Sequence, residues 1–523
     1  MRYLSICLVA LSLLVPAAAQ AQSPDATSLL ALHRAYVGWQ FGDGTFNTYR
    51  QTGTMVREGS HTTYPWTTLE MGAIYRDTTV DPKTGEPFDD GFTGRVFWET
   101  DENGFTRPDF SLRQGLDIAL SVLFNEGTTE LSSTLRPSQT IGGKSYAVVR
   151  VQPPHGDALD LYVDPVTGAY VRAVIDPGGS YETTVDILGY TDALPGKRMI
   201  SKYEIGKFVF TMTHVQPNVT IATQEFHPPP QRATWTFANP NPFPISVEPH
   251  AIFVDATING VKGRFILDTG AGGIYVDNAF ADRAHLSTIT RGTGGGIGPN
   301  PVRIRLRRAS TITIGGNTLS NVLIDTARFQ WHEDNEQPAG LIGYPLFAGA
   351  IVNLNTSNQT MQILNPQTAT ADTSHGVAIR VDLYSKQPVV PMVIDNHIDV
   401  KALLDTGNGG FVAISPTLVS KRGVPMMATG YQGNAFYHPE DPSAISNYIN
   451  SHVEICGVGG CETDPCSTIT SIALGPIVYQ STYACESQSV GGDYILVGYD
   501  FLRNFDFVFD YRDGILVLKP HPQ

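Results

Sequence analysis

Two stretches of this sequence repeat one pattern. Asn259, Val261, Arg264 and Ile266-Leu267 have counterparts in Asn396, Ile398, Lys401 and Leu403-Leu404, and Asp268-Thr269-Gly270-Ala271-Gly272-Gly273 falls on Asp405-Thr406-Gly407-Asn408-Gly409-Gly410 at the same offset of 137 (405 minus 268). A given tripeptide arises by composition only about once in several thousand positions, so two such turns with matching flanks point to duplication. A second match follows at an offset of 155 (498 minus 343), where Leu341-Ile342-Gly343-Tyr344 meets Leu496-Val497-Gly498-Tyr499. The chain must therefore hold two like lobes, with eighteen extra residues (155 minus 137) between the two motifs of the second copy. The four cysteines Cys456, Cys461, Cys466 and Cys485 lie in that interval, which reads as a disulfide-stapled insertion.

The local pattern in both copies is β. Ile252, Val254, Ala256 and Ile258 alternate ahead of Asn259-Gly260, a hairpin signal, and the chain returns through Phe265, Ile266 and Leu267 to Asp268. Val302–Leu306 and Phe505–Phe509 alternate in the same way. Pro228-Pro229-Pro230 followed by Pro240, Pro242 and Pro244 marks a stiff linker over 227–244. Lobe 1 is expected over 245–365 and lobe 2 over 376–523, separated by the polar stretch from Asn365 to Gly376.

Residues 1–21 have the form of a removable export signal: Arg2, an apolar run from Tyr3 to Val15 broken by Pro16, and Ala19-Gln20-Ala21. A membrane span needs about 20 unbroken apolar residues, so none is expected. The mature chain is expected in the periplasm or outside the cell. Its charge would be −16, from 34 basic and 50 acidic residues once Arg2 is removed, which disfavours a nucleic-acid partner. In that compartment four clustered cysteines read as two disulfides with three possible pairings, ahead of a zinc site.

Residues 22–226 read as a β-rich domain with a few helices. Leu29, Leu30, Leu32 and Val37 suggest one helix, and Ser111 stands where it would cap a second running through Phe124. Ala158–Val163, the turn Asp164-Pro165-Val166-Thr167-Gly168, and Tyr170–Ile175 read as a hairpin.

Peptide hydrolysis without a metal or a covalent intermediate needs one group to deprotonate water and another to protonate the carbonyl oxygen. Two carboxyls sharing a proton can do both. Symmetric, rigid turns are a way to bring two aspartates to one point, with Gly270 and Gly407 allowing close approach and Thr269 and Thr406 offering hydroxyls as braces.

At these residues the sequence resembles the bacterial retropepsin-like aspartyl proteases of the pepsin–retropepsin class. The resemblance spans about 245 to 520 and implies a mainly β fold, a bilobal pair of acid-protease-like β-barrels behind the β-rich N-terminal domain. It implies Asp268 and Asp405 as the catalytic pair, Thr269, Gly270, Thr406 and Gly407 as their support, and Gly343 and Gly498 as the second motif. It also implies a polypeptide substrate, no cofactor and no metal. Because one chain supplies both halves, a monomer completes the site. The mobile cover of such a cleft has two candidates, Gly292–Gly296 and Gly430–Tyr437. The N-terminal region resembles the periplasmic lipoprotein-carrier fold, which implies an apolar ligand there.

Other readings compete. The same fold can serve as a noncatalytic binding protein for peptides or apolar ligands. Actin-like kinases also use Asp-x-Gly turns, but they need ATP, which export denies. His285, His332, His375, His397 and His438 lack metal-ligand spacing, and no Gly-x-Ser-x-Gly elbow presents a serine nucleophile.

Overall fold

The computed structural model describes residues 25–109, 113–124, 131–179, 182–296, 298, 300–329, 337–383, 385–424, 452–457, 459–492 and 494–521. The expected export signal over 1–21, Ser111, His332, His438 and the candidate cover Gly430–Tyr437 lie outside them.

The molecule is mainly β, and its strands form two six-stranded closed barrels with one topology. In the first, Ile252–Ile258, Val261–Leu267, Gly340–Ile342, Ile274–Asp277, Asn317–Ala327 and Val302–Ile314 pair in that order, and the last returns to the first. In the second the order is Val389–Ile394, Ile398–Leu404, Tyr494–Val497, Val412–Ile414, Ile477–Glu486 and Gly460–Leu474, closed in the same way. Both barrels have their parallel pairings at the same two places, after the second strand and between the fourth and fifth. The first hairpin turns at Asn259-Gly260, whose φ angles of 48° and 85° are the left-handed pair that suits strand twist.

A third sheet joins the barrels. Phe243–Pro244, Thr360–Leu364, Ile351–Asn355, Phe505–Asp510, Ile515–Pro520 and Val377–Arg380 run antiparallel in that order, so the central pairing takes one strand from each copy. The proline-rich stretch is tied down at two points, since Thr234–Thr236 pairs with Thr318–Ser320 and Phe243–Pro244 with Thr360–Met361.

Cys466 and Cys485 are bonded to each other across Gly460–Leu474 and Ile477–Glu486, and Cys461 is also disulfide-bonded. These two strands are the counterparts of Val302–Ile314 and Asn317–Ala327, so the bridge staples barrel strands that both lobes possess. The added length lies elsewhere. Helix Pro416–Arg422 and strand His452–Gly457 are separated by residues 423–451, where the first copy needs only 284–286 between Asn278–Arg283 and Ser287–Gly294. The cysteine spacing alone suggests an insertion, because strand pairing, which sets that equivalence, is not visible in it.

N-terminal to the barrels, thirteen antiparallel strands form one sheet between Thr48 and Pro217. Helices Ala26–Val37 and Arg113–Leu123 bury Ala26, Leu29, Ala119 and Leu123 with Val149, Leu161 and Ala173 of that sheet. The first helix starts at Asp25, whose side chain accepts Ser28 N–H at 2.7 Å, and stops at Gly38 with φ 83°.

The turn Asp101–Phe105 anchors this sheet in the barrels, beside further contacts such as the ion pair of Glu86 with Arg308. Phe105 is 0% exposed and belongs to the hydrophobic core of the barrels, where it packs on Gly349 beside Trp235. Asn103 accepts Leu323 N–H at 2.7 Å, and its carbonyl accepts Ala233 N–H at 2.8 Å. Phe105→Ala removes a fully buried ring from the core of the barrels and is expected to cost about 3–5 kcal/mol, read as lost stability in denaturant unfolding of the full chain.

Candidate active site

The strands Val261–Leu267 and Ile398–Leu404 end at Asp268 and Asp405, and the structure brings both turns to one point between the barrels. Four reciprocal hydrogen bonds lock them. Thr269 N–H donates to Thr406 Oγ1 at 3.1 Å and Thr406 N–H to Thr269 Oγ1 at 3.0 Å. Each hydroxyl then donates across the interface to the carbonyl preceding the other aspartate, Thr269 to Leu404 O and Thr406 to Leu267 O, both at 2.7 Å. Threonine suits this place because its hydroxyl both accepts and donates.

The glycines set how close the acids come. A Cβ on Gly270 would overlap the Asp405 carboxyl, and one on Gly407 would overlap that of Asp268. Behind each turn runs the second motif. Asp268 N–H donates to Ile342 O at 3.0 Å and Asp405 N–H to Val497 O at 2.9 Å. Tyr344 N–H donates to Ala271 O at 2.9 Å and Tyr499 N–H to Asn408 O at 2.6 Å. Gly343 and Gly498 cross at these points, where a Cβ would strike the carbonyl oxygens of Ala271 and Gly410.

Asp268 and Asp405 are 9% and 8% exposed, and their environments differ. Asp405 Oδ1 accepts Gly407 N–H at 2.8 Å and Asn408 N–H at 3.2 Å, whereas Asp268 Oδ1 is buried without a protein partner. Burial, then the charge of Asp405 and a hydrogen bond to it, pushes Asp268 well above the ordinary carboxylate range. Burial also raises Asp405, but the hydrogen bond from Asp268 and those from backbone amides oppose it. The pair thus takes one proton more readily than a lone aspartate.

Of the candidate covers, Gly292–Gly294 ends the strand Ser287–Gly294, which pairs with Val302–Ile314. Beyond it, Gly298 N–H donates to Ser489 Oγ and Asn300 N–H to Gly459 O, each at 3.1 Å, so this hairpin reaches the second lobe. Among the described residues no cluster of His, Cys, Asp and Glu is arranged to hold a metal ion, and no helix is long and apolar enough to cross a membrane.

The structure also brings in residues that no motif signalled. Gln387 donates to Gly270 O, and the neighbouring Lys386 packs against Gly272 and pairs with Glu102 of the N-terminal region at 2.8 Å. These contacts join segments more than a hundred positions apart, and nothing in the local sequence marks them.

Comparisons with known proteins agree with this geometry for the first lobe. Residues 254–346, which include the first turn and the Leu341-Ile342-Gly343 element, match the family model for aspartyl protease. The second lobe repeats the strand order of the first. No curated protein matches the chain. A solved DUF1329 family protein from Desulfovibrio piger ATCC 29098 is similar at 11% identity over 39% of this chain and 97% of its own, with a TM-score of 0.28.

Proposed function

We propose that this protein is an exported aspartic endopeptidase that hydrolyses polypeptides with one water activated between Asp268 and Asp405. The observation that carries the reading is the reciprocal threonine lock, which holds two buried carboxyls against each other's turn glycines. Asp405, held toward its ionised form by backbone amides, takes a proton from the water, and protonated Asp268 donates to the carbonyl oxygen of the scissile bond. The amide nitrogen leaves after accepting a proton from the pair. Residues 1–21 and the Cys466–Cys485 bridge support export, since disulfides persist in oxidising compartments.

Purified mature protein should cleave unfolded polypeptides with a bell-shaped pH profile. Activity falls at low pH, where both carboxyls are protonated, and at high pH, where both ionise. The raised value of Asp268 moves the upper limb upward. Statine-type transition-state mimics should block the reaction and chelators should leave it unchanged. Chelator-sensitive activity that statine analogues do not touch would remove the proposal.

A further inference from the structure

Gly270 lies at the centre of the aspartate pair. A Cβ there would overlap the Asp405 carboxyl, and its N–H acts on both Asp268 and Asp405, favouring the ionised form of each. Glycine is also the residue least able to hold its own backbone in place. The unit that must stay fixed between two carboxyls therefore needs a restraint from outside its turn.

That restraint comes from the second lobe. Asp382 and Val389 exchange N–H to carbonyl hydrogen bonds at 2.8 and 2.9 Å, which closes a loop carrying Lys386 and Gln387. Pro388 O accepts Leu404 N–H at 3.0 Å, so the loop is tied to the strand that ends at Asp405. From there the Gln387 side chain reaches across to the first lobe, and its Nε2 donates to Gly270 O. Lys386 packs over Gly272 with a left-handed φ of 61°, and its ammonium pairs at 2.8 Å with Glu102 of the anchoring turn. A residue with a side chain keeps that backbone conformation only where its surroundings hold it. The duplication repeats the crossing: 137 positions before Gln387, His250 packs its Cβ and carbonyl on Gly409, the counterpart of Gly272.

We propose that Gln387 is a positioning residue for the aspartate pair, fixing Gly270 between the two carboxyls from a loop that Glu102 of the N-terminal region clamps through Lys386. Its part in hydrolysis rests on the peptidase reading. Gln387 acts through Gly270: with the carbonyl pinned, the flanking N–H keeps its direction toward both acids. One side chain thus supplements the threonine lock in setting how the two turns meet. The N-terminal region becomes part of the scaffold of the site.

The test is steady-state kinetics of the full mature chain on one peptide across pH. Gln387→Ala should lower kcat about tenfold and leave KM within about twofold, because alignment is lost and binding is not. Gln387→Glu separates a donor from a filler of space, since its carboxyl can donate to Gly270 O only while protonated. Its rate relative to the wild type should approach one below about pH 4 and fall under that of Gln387→Ala above about pH 5, on either side of the ordinary glutamate value. Glu102→Gln combined with Lys386→Met leaves neither partner's charge unmatched and should lower kcat about threefold with KM unchanged. Wild-type kcat in Gln387→Ala overturns the proposal, as does a loss in Gln387→Glu that is the same at every pH. Unchanged kcat in the paired variant overturns the part assigned to Glu102. If the wild type hydrolyses no peptide, the peptidase reading falls and the positioning role is scored by thermal unfolding. The Tm gain of Asp268→Asn levels off where the pair completes its titration. In the Gln387→Ala background that pH should lie about half a unit higher, because carboxylates that lose an aligned N–H hold their proton longer. An unmoved pH overturns the positioning role.

Discussion

Asp268→Asn and Asp405→Asn are each expected to reduce peptide hydrolysis by about 10³–10⁴-fold, because each removes one half of a proton relay that neither acid performs alone. The two losses should be of similar size, and the double variant should lose little more than either single one, as for groups acting as a unit. Stability should move the other way for Asp268. Its folded pKa lies above the unfolded one, so the stability it contributes is complete below about pH 4 and declines as pH rises through the folded value. Asn cannot ionise and escapes that decline. Asp268→Asn should therefore have a higher Tm than the wild type at neutral pH, with the gap closing in acid. Thermal unfolding across pH, beside initial rates on one peptide, measures both. Retained activity in either single variant would exclude a shared pair.

Gly343→Ala and Gly498→Ala are expected to damage the aspartate-bearing turns directly. At both positions the new Cβ meets backbone carbonyls of the aspartate-bearing turn, Ala271 and Gly273 in one lobe, Gly410 and Asn408 in the other. A flexible side chain could move aside, whereas these carbonyls accept the hydrogen bonds that hold the turn. The strain should reach the upper end of the 1–3 kcal/mol usual for overpacking, about 3 kcal/mol, with hydrolysis falling further than stability because the turn itself is displaced. Gly491→Ala is the control: nothing lies within 4 Å of its added Cβ, and the change should stay within about 0.5 kcal/mol. Denaturant unfolding and kcat on one peptide separate the two effects. Wild-type behaviour of Gly498→Ala would mean that the second motif does not brace the turn.

Much of the barrel pair could be read along the chain, because strand alternation and turn chemistry depend on neighbours a few residues apart. Asn259-Gly260 shows this: the residue pair names the turn, and the turn fixes the strands on either side. The cysteines show where such reading stops. Cys466 and Cys485 fall where the sequence suggests an insertion, yet they sit on strands common to both lobes, and only strand pairing identifies those counterparts. The anchoring turn Asp101–Phe105 was equally silent, since its sequence is that of an ordinary polar loop until Phe105 is seen inside another region's core.

Read along the chain, the residues reveal a duplication in which each copy carries Asp-Thr-Gly after an apolar run and a later hydrophobic-hydrophobic-Gly element. The fold supplies the lock of the two turns through Thr269 and Thr406, the burial that raises both carboxyls, and the pairing of Lys386, beside the first turn, with Glu102. The reason is one of range. Patterning is set by local chain geometry, whereas burial and charge act between groups that the sequence holds far apart, and they take their values only once the fold has brought those groups together.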